Sequence, residues 1–179
     1  VAQKAGMNLE NLKQAFPRIM ELPFDSCRKR MTTVHQLRDS FEGARRIAFV
    51  KGAPKEIMEL SARCFDGSAS RPMRQEDRDR IMQANDRYAR EGLRVLAVAY
   101  RPLCKEDASL PPSISEYTAE NIETNLTFLG LVAMQDPPRS EVKDAVRLCR
   151  SAGTKIIMIT GDYGLTAESI ARKIGIIQS

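Results

Sequence analysis

No hydrophobic run in this sequence approaches the roughly 18 residues that would argue for a membrane-crossing helix. Val1-Ala2-Gln3-Lys4 is no secretory signal, and an opening on Val is what a fragment or a processed chain would show. Histidine is confined to His35, and Cys27, Cys64, Cys104 and Cys149 lie far apart with no Cys-x-x-Cys. An ordinary zinc site built from adjacent ligands is therefore excluded, and reduced cytosolic thiols are the expected state. Aromatics are only 6%, so stacking platforms for nucleic acid are scarce. The formal charge of +5 is spread among acids, as in Gln75-Glu76-Asp77-Arg78-Asp79-Arg80, and reads as solvated helix faces; no nucleic-acid partner is expected. There is no internal repeat and no low-complexity tract. What remains, 42% hydrophobic and 28% charged over 179 residues, is a globular chain with one good core or two small ones.

Along the chain, Ala2 to Ala15 has a helical look, with Pro17 as the break. Arg18–Phe24, the β-branched-rich Met31–Leu37 and Arg46–Lys51 read as strands, with a turn within Phe41–Arg45. Pro54 suits the first turn of a helix carrying Ile57, Met58 and Leu60. Phe65 to Met73 reads as a loop. Arg74 to Glu91 reads as a helix with a narrow stripe of Ile81, Met82, Ala84, Tyr88 and Ala89, stopped by Gly92. Leu93–Tyr100 and Leu126–Met134 are strands, and the polar, proline-bearing stretch Pro102 to Asn125 between them looks like a surface excursion. Asp136-Pro137-Pro138-Arg139 is a stiff connector and a plausible boundary. Beyond it, helix Ser140–Ala152, strand Lys155–Thr160 and helix Leu165–Ile174 make an α/β unit too short to close a sheet by itself.

That last strand leads into Met158-Ile159-Thr160-Gly161-Asp162. Open α/β sheets bind ligands beyond the carboxyl ends of their strands, where the next helix aims its N-terminal amides. The turn is a candidate phosphoryl site; the plainer alternative is a turn with Asp162 or Thr166 capping the helix.

Four segments occur in order: Phe24-Asp25-Ser26-Cys27-Arg28-Lys29-Arg30-Met31, Phe49-Val50-Lys51-Gly52-Ala53-Pro54, Asp136-Pro137-Pro138-Arg139, and the Thr160-Gly161-Asp162 run. Together they resemble the cytoplasmic nucleotide-binding domain and adjoining phosphorylation domain of P-type cation-transporting ATPases, closest in look to the calcium pumps. The resemblance implies an α/β (α+β) fold: an antiparallel sheet flanked by helices, the nucleotide-binding domain over residues 1–136, then a partial Rossmann-like, haloacid-dehalogenase-type piece over 137–179. It implies that Phe24 stacks on adenine, that Lys29 and Lys51 line the pocket with Gly52 as a wall, and that Arg94 contacts the nucleotide phosphates. Thr160 and Gly161 would contact phosphate with Asp162 as the neighbouring carboxylate, and Asp136 and Arg139 would form the hinge.

Residue chemistry agrees. A phenylalanine at a strand end offers an adenine a flat apolar face worth roughly 1–3 kcal/mol in base-stacking systems, two ammonium groups suit a polyphosphate, and a glycine lets a ring approach the backbone. Each residue also has a plain reading: Phe24 as core, the lysines as solvated strand ends, Arg94 as an outward strand residue, Asp136 and Arg139 as turn and helix-start charges. Ser26 departs from relatives that carry an arginine there, which puts one phosphate contact in doubt.

The family's Asp-Lys-Thr-Gly-Thr, whose aspartate is phosphorylated, and its Gly-Asp-Gly-x-Asn-Asp, which holds Mg²⁺, do not occur here. The resemblance thus implies a piece of a pump at the cytoplasmic face of a membrane. Such a piece would bind ATP or ADP without turnover, with Mg²⁺ serving the parent enzyme and the pump's remaining domains as partners. The rivals are a soluble haloacid-dehalogenase-type phosphatase, which needs an Asp-x-Asp nucleophile not expected here, and a non-catalytic basic interaction module.

Overall fold

Residues 3–135 and 137–177 are described by the structure, a computed structural model. Asn8 starts the first helix, its Oδ1 accepting from the amides of Glu10 (2.9 Å) and Asn11 (3.2 Å). Helix α1 therefore spans only Leu9–Ala15 and not the longer stretch expected, with Gly6 at φ +73° ahead of the cap. Three antiparallel strands follow: β1 (Arg18–Asp25), β2 (Arg30–Phe41) and β3 (Ala44–Gly52). Between β2 and β3, Glu42 (φ +50°) and Gly43 (φ +79°) supply the left-handed pair that a tight hairpin with right-handed twist requires. Helix α2 (Pro54–Glu59) has proline in its first turn and buries Ile57 and Met58.

Strand β4 (Ser61–Phe65) lies where no strand was expected, and β5 (Ser70–Pro72) falls within the loop expected over Phe65–Met73. The Asp66 carboxylate closes their turn, accepting from the amides of Ser68 and Ala69, both at 3.0 Å. The sequence Ser-Ala-Arg-Cys-Phe carries little β signal; β4 exists because it pairs in parallel with β7 (Leu126–Met134), Ser61 opposite Leu126 and Cys64 opposite Phe128. With β6 (Arg94–Pro102) the sheet order is β1-β2-β3-β6-β7-β4-β5. This is the helix-flanked sheet expected, with one parallel pair in an otherwise antiparallel set of described ladders.

The Pro102–Asn125 stretch is no mere surface excursion. It holds a 3₁₀ turn (Ile114–Glu116) and helix α4 (Ala119–Ile122). Leu103, Tyr117 and Ile122 are buried against Val34 and Ala48, with Met20 and Leu22 packed beside them. Full burial of a side chain such as Ile122 is worth about 1.5–3 kcal/mol, which is why a polar-looking segment folds down. Buried Arg101 fastens it, donating to Asn121 O (2.8 Å), Thr124 Oγ1 (2.7 Å), Asp107 Oδ2 (2.6 Å) and Ser109 Oγ (2.9 Å).

The chain divides into two compact units, Val1–Arg74 with Ala97–Gly130, and Gln75–Leu96 with Leu131–Ser179. In the second, helix α3 (Gln75–Arg90) packs on α6 (Gly164–Lys173), and α5 is Val142–Ser151. Thr166 Oγ1 donates to Leu93 O at 3.0 Å and Tyr163 OH to Asp86 Oδ1 at 3.0 Å. Gly92, at φ +79°, ends α3 as expected, and its carbonyl neighbour Glu91 O accepts from Lys173 Nζ.

The strand expected at Lys155–Thr160 is absent: residues 154–160 join no ladder, and Ile157 and Ile159 are 71% and 93% exposed. A parallel strand exists only beside a neighbour that takes its backbone groups, and the described residues offer none there.

Candidate functional site

The hairpin β1–β2 and its neighbour β3 position the first candidate group. Asp25 closes the turn: Oδ1 accepts from the amides of Cys27 (2.9 Å) and Arg28 (2.7 Å), and its carbonyl accepts from Lys29 N (2.7 Å). Lys29 sits at φ +52°, a left-handed conformation uncommon outside glycine and asparagine. Its backbone carbonyl takes the Ala53 amide at 3.0 Å, joining the turn directly to the Gly52-Ala53 segment.

Register then decides which side chains share a face. Leu22 is opposite Thr32 and Asp25 opposite Arg30, so β1 advances three residues while β2 advances two, a bulge at Pro23-Phe24. Arg30 pairs with Gly52 and Met31 with Lys51. Since successive side chains alternate, the bulge moves Phe24 off the core face of Leu22 and Thr32 and onto the face of Met31 and Lys51. There Phe24 is 62% exposed, not core, and Lys51 is exposed on β3, two strands away. At Gly52 a Cβ would come within 2.5 Å of both Arg30 Cβ and Lys29 O, so the position admits glycine only.

Lys29 is not a free solvated charge. Its Nζ lies 3.0 Å from Glu56 Oε1, on the helix that Pro54 starts. Partial burial raises the Glu56 pKa, but the hydrogen bond from Lys29, one from its own backbone amide and the charges of Lys29 and Lys55 outweigh it and hold the carboxyl below the usual 4.5.

Beneath the turn, on the core face, Glu123 receives Arg28 Nη1 (2.6 Å), Arg30 Nε (2.6 Å) and Thr32 Oγ1 (2.7 Å). Glu56 and Glu123 were missed by sequence reasoning. Glu56 follows the Gly-Ala-Pro turn within the first turn of α2 and could have been marked as a counter-charge; nothing around Glu123 signals its long-range partners.

The remaining predicted residues fall in the second unit or at its edge. Arg94 is exposed at the start of β6. Thr160, Gly161 and Asp162 form an exposed turn in which Thr160 Oγ1 donates to Asp162 Oδ2 (3.0 Å) and accepts from Asp162 N (3.1 Å). Neither Asp162 nor Thr166 caps α6: the cap position is Tyr163, whose side chain makes no capping hydrogen bond, and Thr166 bonds Leu93 instead. Arg139 is exposed, its carbonyl accepting from Val142 N at 3.1 Å, and Asp136 lies outside the described residues. The Asp-x-Asp spacing of the phosphatase reading does occur once, contrary to expectation, as Asp77-Arg78-Asp79, but it lies within helix α3 and not at a strand end. Asp77 is buried and pairs with Arg80 at 3.0 Å.

For Mg²⁺, no three His, Cys, Asp or Glu side chains converge among the described residues, so the described groups do not form a protein cage for the ion. A cavity of about 560 Å³ does exist on the first unit, lined chiefly by Phe16, Leu37, Phe41, Phe49, Phe65 and Tyr100. None of Phe24, Lys29 or Lys51 lines it, and the chemistry of the turn, not cavity size, marks the candidate site.

No helix among the described residues is long and apolar enough to cross a membrane. The chain is 39% identical over 178 residues to the calcium-transporting ATPase of Bacillus subtilis, covering 98% of this chain and 18% of that protein. It is 35% identical over 172 residues to calcium-transporting ATPase 1 of Bacillus cereus (96% and 18%) and 35% identical over 175 residues to the sodium/potassium-transporting ATPase subunit alpha-4 of Rattus norvegicus (94% and 16%). It thus spans less than a fifth of the length of these relatives. Residues 1–141 match the family described as P-type ATPase, cytoplasmic domain N, and with that match the chain belongs to the P-type cation-transporting ATPases.

Proposed function

We propose that this chain is the ATP-binding part of a cation pump that hydrolyses ATP through an aspartyl phosphate. Phe24 stacks on the adenine, Lys29 and Lys51 neutralise phosphates, and the Gly52 backbone forms a wall. The observation that carries this reading is the β1 bulge, which turns an exposed phenylalanine onto the face of Lys51 while the Lys29 carbonyl is tied to the Ala53 amide. An exposed aromatic ring on the same face as Lys51 has little stabilising role in the fold and suits a base attached to a polyphosphate.

The chemistry of these residues is positional. They orient the nucleotide and screen its charge, and with no Asp-Lys-Thr-Gly-Thr in this sequence they have no phosphoryl acceptor among them. Mg²⁺, in this reading, enters with the nucleotide phosphates. Residues 137–179 are assigned to a phosphorylation domain, with Thr160, Gly161 and Asp162 on its phosphate side and Asp136 and Arg139 at the hinge. The relatives' names and the family's description as cytoplasmic support a place at the cytoplasmic face of a membrane, with the pump's other domains as partners.

Calorimetric titration with ATP tests the assignment. Phe24→Ala is expected to weaken binding by roughly 1–3 kcal/mol, the loss of one base stack, with the thermal midpoint nearly unchanged because the ring is exposed. Equal affinity in the variant would contradict the adenine role.

A further inference from the structure

Glu123 has the most demanding environment of any carboxylate in the first unit: its side chain is 0% exposed and takes three donors. Two of those donors do more than neutralise it. Arg28, bound to Glu123 through Nη1, donates Nη2 to Pro23 O at 2.9 Å, the carbonyl immediately before Phe24. Arg30, bound through Nε, donates Nη1 to Arg28 O at 3.0 Å, the carbonyl immediately before Lys29. One buried carboxylate thereby sets two guanidinium groups, and each guanidinium fixes the peptide preceding a proposed nucleotide contact. The hub is itself held in place, because Arg101 grips the same α4–β7 turn at Asn121 O and Thr124 Oγ1.

We infer that Glu123 is a positioning residue for nucleotide binding: through Arg28 and Arg30 it holds the β1–β2 turn so that Phe24 and Lys29 are preorganised for base and phosphate. The inference rests on the nucleotide roles proposed above for those two residues. It also assigns Arg28 and Arg30, despite their charge and their place in the motif, to the carboxylate and the backbone and not to phosphate. Burial supports this, since side-chain exposure is only 25% for Arg28 and 16% for Arg30, against 58% for Lys29. A turn left to fluctuate must be ordered when the ligand binds, and that cost lowers affinity.

The test uses the whole 179-residue chain, as Glu123→Gln, Arg28→Ala and the double variant, with ATP titrated calorimetrically at several salt concentrations and backbone amide shifts recorded without ligand. Arg28→Ala leaves Glu123 with Arg30 and Thr32, so it remains informative if Glu123→Gln fails to fold. Each single variant is expected to lose about tenfold in ATP affinity, equivalent to ~1.4 kcal/mol, and the double variant little more, since both cut the same strut. Ligand-free shifts are expected to change at residues 23–30 but not at Ala48 or Val50. The salt dependence of ATP binding should stay that of the unaltered chain, whereas Lys51→Met, which removes a direct phosphate partner, should reduce it. Unaltered affinity in a folded Glu123→Gln or Arg28→Ala variant would overturn the positioning role alone. A reduced salt dependence in Arg28→Ala would also overturn it, by making Arg28 a phosphate ligand. No binding of ATP by the unaltered chain would overturn the nucleotide reading itself and the positioning role with it.

Discussion

Lys29 is paired with Glu56 at 3.0 Å, and under the proposed nucleotide role an incoming phosphate would have to compete with that carboxylate. Both side chains are partly solvated, so the pair is worth only a few tenths to about 1 kcal/mol. Glu56→Gln is therefore expected to raise ATP affinity by roughly two- to fivefold, since it releases the ammonium and removes a negative charge beside the phosphates; calorimetry checks it, and a loss of affinity would refute the competition. Because the Glu56 carboxyl lies below its ordinary 4.5, the pair stabilises the fold above that pH and is lost as pH falls through the folded value. Asp107 gives a sharper case. Ser109's hydroxyl donates to it, burial opposes, and Arg101 and the Ser109 amide complete its environment, together bringing its pKa from 3.8 to about 2. Its contribution is complete above 3.8 and disappears as pH falls through about 2. Urea unfolding between pH 2 and 5 should show Asp107→Asn less stable at the upper end and converging with the unaltered protein at the lower.

Strand pairing places these residues, and the bulge in β1 is the decisive local event. Without it Phe24 would continue the Leu22 side of the strand and point into the core. Gly52 is the counterpart on β3: its missing side chain lets the Lys29–Arg30 backbone pack directly on the strand. Gly52→Ala would place a Cβ 2.5 Å from backbone that cannot swing away, and overpacking of this kind costs typically 1–3 kcal/mol. Gly130→Ala in β7, where nothing lies within 4 Å, should change stability by a few tenths of a kcal/mol at most. Urea midpoints of the two variants compare them directly; equal midpoints would mean that the Gly52 contact is unimportant. Strands β1, β2, β3, β6 and β7 were legible from β-branched and apolar runs between turn residues. Strand β4 was not, because its existence rests on a parallel neighbour more than sixty residues away in sequence, and Lys155–Thr160 was overread because apolar residues alone do not supply a ladder partner.

At the scale of the whole chain, binding and turnover are expected to separate. ATP with Mg²⁺ should bind and release no phosphate, since the sequence contains no Asp-Lys-Thr-Gly-Thr to accept the γ-phosphoryl group. Phosphate-release assays on the unaltered chain and on Phe24→Ala check this; hydrolysis that falls in parallel with the variant's loss of binding would show a catalytic route in this chain and refute the expectation. The same contrast runs through the site. Phe24, Lys29, Lys51 and Gly52 stood out as candidates because motifs are local in sequence, and local chemistry, a ring, two ammonium groups and a bare backbone, is readable one residue at a time.

Local sequence was enough for the family resemblance, for most of the strands and helices, and for naming candidate nucleotide contacts. Only the tertiary structure decided that Lys29 is held by Glu56, that the 102–125 segment folds onto the core, and that Arg28 and Arg30 serve a buried carboxylate. These outcomes depend on register and burial between residues far apart in sequence, Arg28 and Glu123 being 95 positions apart. An electrostatic or packing partner at that separation is chosen by the fold, because no spacing rule of helix or strand connects the two residues beforehand.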